Sequence, residues 1–180
     1  MNNAIYRSGH LQNSITIDPS NIERAEVIFG SSSVGYGSDA MGGVIHYYTK
    51  NPILKNSKKI SSSFTSNFNS ANNSVTNNFN TNYSSDNWGS ITSISISKYG
   101  DIKMGKKRNH GYSDWGLTSI FSQNSRYKFY AEPSVNLDKN IQKNTGYSQV
   151  DLFQKFLFRI GDNNLLNLNI QFSESSDIDR

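Results

Sequence analysis

Past Lys58 the chain alternates with a period of two, the mark of extended strands that present successive side chains to opposite faces. Ile60, Ser62, Phe64, Ser66 and Phe68 share a face opposite Ser61, Ser63, Thr65 and Asn67. Val75, Phe79 and Tyr83 share one with Asn77 and Thr81, opposite Thr76, Asn78, Asn80 and Asn82. Trp88, Ile94 and Ile96 lie opposite Gly89, Ser93, Ser95 and Ser97, with Tyr99 near the far end. Two further segments alternate more strongly. Val150, Leu152, Phe156, Phe158 and Ile160 oppose Asp151, Phe153, Lys155, Leu157 and Arg159, while Leu166, Leu168, Ile170 and Phe172 oppose Asn167, Asn169, Gln171 and Ser173. The pattern predicts five strands of about 9 to 11 residues, the length that crosses a bilayer as a tilted strand.

The connections are unequal. Gly161-Asp162-Asn163-Asn164 is a hairpin signal, and 70–73 and 84–87 read as short turns. The one long connection, 101–147, is rich in Gly, Asn, Lys and Tyr and is expected to hold a short hairpin around 122–125. If the first strand rises from the periplasm, the turns at 84–87 and 161–164 lie below and the long connection leaves above. Short periplasmic turns and longer outer loops are the habit of bacterial outer-membrane barrels.

Ahead of Asn51 and Pro52 the pattern is different. Asp18 caps a predicted helical turn with Pro19 at its first position. Ile22 to Phe29 reads as a strand ended by Gly30, and Gly42 to Thr49 as a second. The stretch between them carries Gly30, Gly35, Gly37, Gly42 and Gly43, a spacing that marks tight turns and close backbone approach. The chain therefore divides into 1–52, a compact α/β-like part, and 53–180, the alternating strands.

Composition narrows the class. There are 180 residues, no cysteine and a net charge of +4, which excludes disulfide and zinc-finger scaffolds. Asn and Ser together outnumber Leu, Ile, Val and Phe, and they disfavour helix interiors, while Tyr and Phe favour a pleated surface. No apolar run reaches the roughly 20 residues of a membrane helix, so a membrane role has to use strands. A field of +4 without a basic stripe gives no case for nucleic acid as a partner. Enzyme signatures fail: the Gly30 to Gly37 spacing has Tyr36 where a phosphate loop needs lysine, and Gly37-Ser38-Asp39-Ala40-Met41 lacks the last glycine of a nucleophile elbow. The chain is read as no enzyme.

The segment 22–50 resembles the closing part of the plug domain of TonB-dependent outer-membrane receptors. Ile22, Glu23, Arg24, Glu26, Val27 and Gly30 match its first motif, and Tyr36, Gly37, Ser38, Ala40, Gly42, Gly43, Val44, Ile45, Thr49 and Lys50 its second. Ser31 or Ser32 stands where the family usually has proline. Less specific stretches, Arg7-Ser8-Gly9-His10-Leu11-Gln12-Asn13, Lys98-Tyr99-Gly100-Asp101-Ile102-Lys103-Met104-Gly105 and Asn140-Ile141-Gln142-Lys143-Asn144-Thr145-Gly146-Tyr147, resemble the branch that takes up haem or haemoglobin.

The resemblance implies a mainly β fold: the C-terminal part of an α/β plug domain followed by about five strands of an antiparallel outer-membrane barrel, with an extracellular loop at 101–147. The chain is thus expected to be a fragment of a longer receptor in the cell outer membrane. An open sheet leaves lipid-exposed edges whose unpaired backbone groups are costly, so the segment alone is expected not to insert stably. The implied partners are outer-membrane lipid, the TonB complex through a preceding region, and haem or a protein carrying haem or iron. No intrinsic cofactor is implied, and haem enters as transported ligand.

On this reading His10 lies at the plug's outward apex, where a neutral imidazole suits haem iron as an axial ligand. His110 and Tyr112 in the outer loop are further ligand-binding candidates, while His46 is read as structural. Glu23, Arg24 and Glu26 put charges on an otherwise apolar strand and are expected to pair between plug and barrel wall. Gly30, Gly37, Gly42 and Gly43 are the plug's turn glycines. Lys103, Lys106, Lys107 and Arg108 form a basic cluster suited to propionates, acidic protein patches or lipid phosphates. Trp88 and Tyr99 are expected to mark the two interfacial girdles. The alternatives are a β-rich secreted or surface adhesin, which would close its sheets into a soluble sandwich, and a passive porin-type channel, which the plug-like segment disfavours.

Overall fold

A computed structural model describes residues 5–7, 10–13, 17–30, 33–36, 42–109, 111–124 and 128–176, with backbone alone for 5–7, 10–13, 33 and 34. The chain is mainly β, with antiparallel sheets throughout. A short pair, β1 (Ile5–Arg7) and β2 (His10–Asn13), opens it. A single 3-10 turn, Pro19–Asn21, follows, capped by Asp18, whose carboxylate accepts the Ser20 N–H at 2.8 Å. Proline at its first position sacrifices no hydrogen bond, since that N–H has no partner in any helix.

Strand β3 (Ile22–Phe29) pairs with β4 (Gly43–Thr49) from Ile22 opposite Thr49 to Phe29 opposite Gly43, around one helical turn, α1 (Ser33–Tyr36). Gly30 ends β3 at φ 90° and Gly43 opens β4 at φ 145°, both in space that side chains avoid. A Cβ on Gly43 would stand 2.7 Å from the Ile28 carbonyl oxygen, so glycine alone lets the two strands close here.

The main sheet holds five strands in the order β13-β12-β7-β6-β5, with β5 Lys59–Asn69, β6 Ser74–Ser84, β7 Trp88–Tyr99, β12 Tyr147–Ile160 and β13 Asn164–Ser175. The short turns between β5 and β6, β6 and β7, and β12 and β13 leave antiparallel pairing as the sole geometry, because a parallel return needs a dozen or more residues. Within the long connection, β8 (Ile102–Lys103) pairs with β11 (Ile141–Gln142) and β9 (Ile120–Phe121) with β10 (Ser134–Val135). That second pairing replaces the short hairpin expected around 122–125. Among the described residues no helix is long and apolar enough to cross a membrane.

The sheet's polarity is inverted relative to a water-soluble core. Along β7, Gly89, Ile91, Ser93, Ser95 and Ser97 are buried, while Ile94 and Ile96 on the opposite face stand exposed. Along β12, Asp151, Phe153 and Lys155 are buried while Val150 and Ile160 are exposed. Val75 and Phe79 of β6, Phe64 and Phe68 of β5, and Leu166, Leu168, Ile170 and Phe172 of β13 complete an apolar outward face. Among the described residues the buried apolar side chains are Ile91, Phe153 and the Pro52 ring.

The chain forms two compact units. One comprises 1–62, 80–93 and 151–173, the other 63–79, 94–150 and 174–180. Each is taken separately below.

Candidate functional site

In the first unit, the segment leaving β4 lies on the inner, polar face of the strands. The Lys50 N–H donates to the Asn21 carbonyl at 2.9 Å and the Lys50 ammonium to the Ser20 carbonyl at 2.6 Å, tying the end of the hairpin to its start. The Lys55 N–H donates to the Ser85 carbonyl at 2.9 Å, which fixes the far end of the segment at the β6–β7 turn. Between these anchors Pro52 is buried, and Gly89 provides its seat: a Cβ there would meet the Ile53 carbonyl at 3.1 Å and the Pro52 ring at 3.3 Å. A glycine inside a strand commonly marks such an approach.

Lys155, buried on the inner face of β12, donates to Asn51 Oδ1 at 2.8 Å. A cleft of about 540 Å³ opens beside this contact, lined by Glu23, Lys50, Lys55, Lys59, Asn82 and Ile91 among others. Three lysines and one glutamate are thus among its lining residues. Removing the Lys155 ammonium should free the segment that it holds. Lys155→Met is expected to speed tryptic cleavage after Lys50 and Lys55 about tenfold, since hydrogen bonds to charged groups contribute roughly 1.5–3 kcal/mol, with cleavage sites read by mass spectrometry.

The β3–β4 hairpin carries a polar cluster on one face. Arg24 and Glu26, two apart and so on the same side of the strand, are joined at 2.9 Å, and the Tyr48 hydroxyl donates to the second Glu26 oxygen at 3.1 Å. The Arg24 guanidinium lies 3.7 Å from the Tyr48 ring centroid, Tyr48 stacks on His46 at 4.2 Å, and Tyr36 meets His46 edge-on at 6.0 Å. The bond from Arg24 holds the Glu26 carboxyl below its usual range, with that from Tyr48 adding to it, and the bond to Glu26 raises the Tyr48 phenol. A lowered carboxyl stabilises the fold above its unfolded-state value and loses that contribution as pH falls through the folded one. The Tyr48 ring signals in NMR should therefore report loosening of the hairpin below the usual carboxylate range, and Glu26→Gln should abolish that transition.

In the second unit the long connection is organised by side chains. The Asp101 carboxylate accepts the Thr145 and Gly146 N–H groups at 3.0 and 3.2 Å, closing the base of the loop. Arg108 donates to the Trp115 carbonyl, the Lys106 carbonyl and Asn140 Oδ1 at 3.3, 3.2 and 2.9 Å. Buried Asn136 donates to the carbonyls of Thr118 and Ile141 at 2.9 and 2.8 Å.

The residues singled out by sequence fall as follows. Glu23 lines the cleft on the inner face of the strands, whereas Arg24 and Glu26 bind each other and Tyr48 on the hairpin. Gly30 and Gly43 flank the turn in left-handed conformations, and Gly42 is exposed beside them. Gly37 and His110 lie outside the described residues, and His10 is described by backbone alone, at the start of β2. Tyr112 is largely exposed in the long connection. Trp88 stacks with Tyr83 at 4.4 Å and with Phe158 at 6.3 Å on the outward face, an aromatic cluster at that end of the sheet. Tyr99 instead stacks on Tyr147 at 4.6 Å, and alternation puts both on the inner face, so Tyr99 is not the matching outer girdle. Sequence reasoning missed Gly89 as the segment's seat and Lys155 as its anchor. The isolated strand glycine and the lone lysine on a polar face were the available signals.

β3, the glycine turn after it and the opening of β4 fall within a stretch that matches a known family. Residues 1–44 match the family model described as TonB-dependent Receptor Plug Domain. The match covers the first 44 of the 180 residues and supports the TonB-dependent receptor family. Comparison with curated proteins and with solved structures returned no match.

Proposed function

We propose that this chain forms the closing part of the plug and the adjoining wall strands of an outer-membrane receptor that takes up haem or another iron source, with import energised through the TonB complex. The observation that carries the reading is the inverted sheet: an exposed row of Ile, Leu, Val and Phe on one face and buried Ser, Asn, Asp and Lys on the other. Water disfavours that arrangement, whereas a bilayer outside and a polar interior favour it. The soluble adhesin would bury the apolar face against a second sheet. In the transport reading the segment seated on Gly89 carries the plug into the wall, Glu23 faces the wall's lysines across the cleft, and the Arg24–Glu26–Tyr48 cluster holds the hairpin together as the plug is pulled. His10 is the proposed axial ligand for haem iron, and His110 and Tyr112 are separate ligand-binding candidates in the long connection.

The absence of cysteine allows single-cysteine scanning without background. In membranes, cysteines at Phe79, Ile94 and Phe172 should resist a water-soluble maleimide and cysteines at Thr65 and Asn67 should react. Reaction at Phe79, Ile94 and Phe172 would show the outward face open to water and would overturn the lipid-facing reading. Haem titration of a receptor carrying this segment, compared with its His10→Ala variant, tests the substrate: equal affinities would remove His10 from the site. Arg24→Ala leaving assembly and transport unchanged would count against a role for that cluster in the plug.

A further inference from the structure

The outward row of β7 runs Ile94, Ile96, Lys98, so the apolar series ends on an exposed ammonium. The chain then stays at the rim. Gly100 donates its N–H to the Asn72 carbonyl at 2.9 Å and Lys103 its N–H to the Ala71 carbonyl at 2.8 Å, which pins the start of the long connection to the β5–β6 turn. Pairing of β8 with β11 sets Lys103 opposite Ile141, and the Met104 N–H donates to the Asn140 carbonyl at 2.8 Å. Lys103, Lys106 and Lys139 are thereby gathered around 138–141, and Lys103 and Lys106 both act on the Asp138 carboxylate.

The nearby carboxylates are already engaged. Asp138 accepts the Asn140 N–H at 3.1 Å, and Asp101 accepts two N–H groups with Lys143 at 3.9 Å. Lys98, Lys103, Lys106 and Lys139 have no carboxylate within ion-pair distance among the described residues. Arg108 is held by carbonyl and amide oxygens, which fix its place and leave its charge uncompensated. The result is a concentration of cations directly above the end of an apolar strand face.

We propose that this cationic rim binds the phosphate groups of lipid headgroups. The inference rests on the lipid-facing reading of the sheet given above. Lipid phosphates are the anions that stand at that depth, where each lysine near an anionic surface adds to the attraction and falls silent beyond a Debye length.

The test is co-sedimentation of the full chain with phosphatidylcholine vesicles, with and without phosphatidylglycerol, at fixed ionic strength. The wild type should bind the anionic vesicles about tenfold or more tighter than the neutral ones. A variant carrying K98Q, K103Q, K106Q and K139Q, its fold checked by circular dichroism, should bind both alike, and a K55Q, K59Q control in the other unit should keep the preference. Inorganic phosphate at matched ionic strength should not compete. No preference in the wild type, equal loss in the control, or competition by phosphate alone would each overturn the proposal. Failure to bind neutral vesicles while the anionic preference persists would instead overturn the lipid-facing reading and leave the rim's charge recognition standing.

Discussion

Replacing Ile94 by arginine in a receptor that carries this segment should weaken its partition into zwitterionic membranes roughly a hundredfold, equivalent to about 2–4 kcal/mol for arginine at the bilayer midplane on the lipid face of a barrel. Ile94 stands in the middle of β7, between Trp88 at one end and Lys98 near the other. The strand's twelve residues span about 36 Å when extended, which at a tilt of about 45° matches an apolar band about 25 Å tall. A charge at the middle of that band has the longest way to either interface. The inner face supplies the control: Thr65→Arg, on the polar side of β5, should leave partition nearly unchanged. The direction of the effect discriminates between the readings. Ile94 is exposed, so if the outward face meets water instead of lipid the same substitution would be neutral or would improve solubility. Partition measured by co-sedimentation against lipid concentration gives the answer, and unchanged or stronger partition would end the membrane account.

What the sequence made legible was whatever depended on neighbours two to four residues apart. The period of two located β5, β6, β7, β12 and β13 and assigned their faces, because alternation survives any tertiary setting that leaves one face apolar. Asp18 and Pro19 announced their turn for equally local reasons. The long connection was opaque. Its pairs, β8 with β11 and β9 with β10, are two residues each, too short to leave a periodic trace, and they are held by side-chain bonds from Asp101, Arg108 and Asn136 to backbone far along the chain. The hairpin expected around 122–125 gives way to a wider one, in which 120–121 pair with 134–135.

The same contrast holds at the junction. Strand spacing alone put Arg24 and Glu26 on one face, within reach of each other, yet the expectation looked past that near partner to the wall. Tyr99 shows the converse. Its composition suggested an interfacial ring, but counting from Trp88 gives it the opposite parity, and parity decided its face. Gly89 and Lys155 act through contacts with the segment after β4, more than thirty and one hundred residues away in sequence, and no local rule encodes that distance.

Phe153→Ala should be the most destabilising truncation in the sheet, at about 3 kcal/mol or more. The ring is 1% exposed and stands on the inner face of β12 between Asp151 and Lys155, with the Lys155 ammonium 5.7 Å from its centroid. Truncation removes the largest fully buried side chain and leaves a cavity lined by polar groups. It also strips the wall from the lysine that holds Asn51, so the loss should reach the junction: tryptic cleavage after Lys50 and Lys55 should accelerate along with global unfolding. Phe172→Ala is the matched comparison, an equal loss of carbon from the exposed outward face, and it should cost little in aqueous detergent-free denaturation. Urea unfolding followed by tyrosine and tryptophan fluorescence measures both. If the two truncations cost the same, the inner face is not packed as described, and the inverted polarity on which the lipid-facing account depends would fail with it.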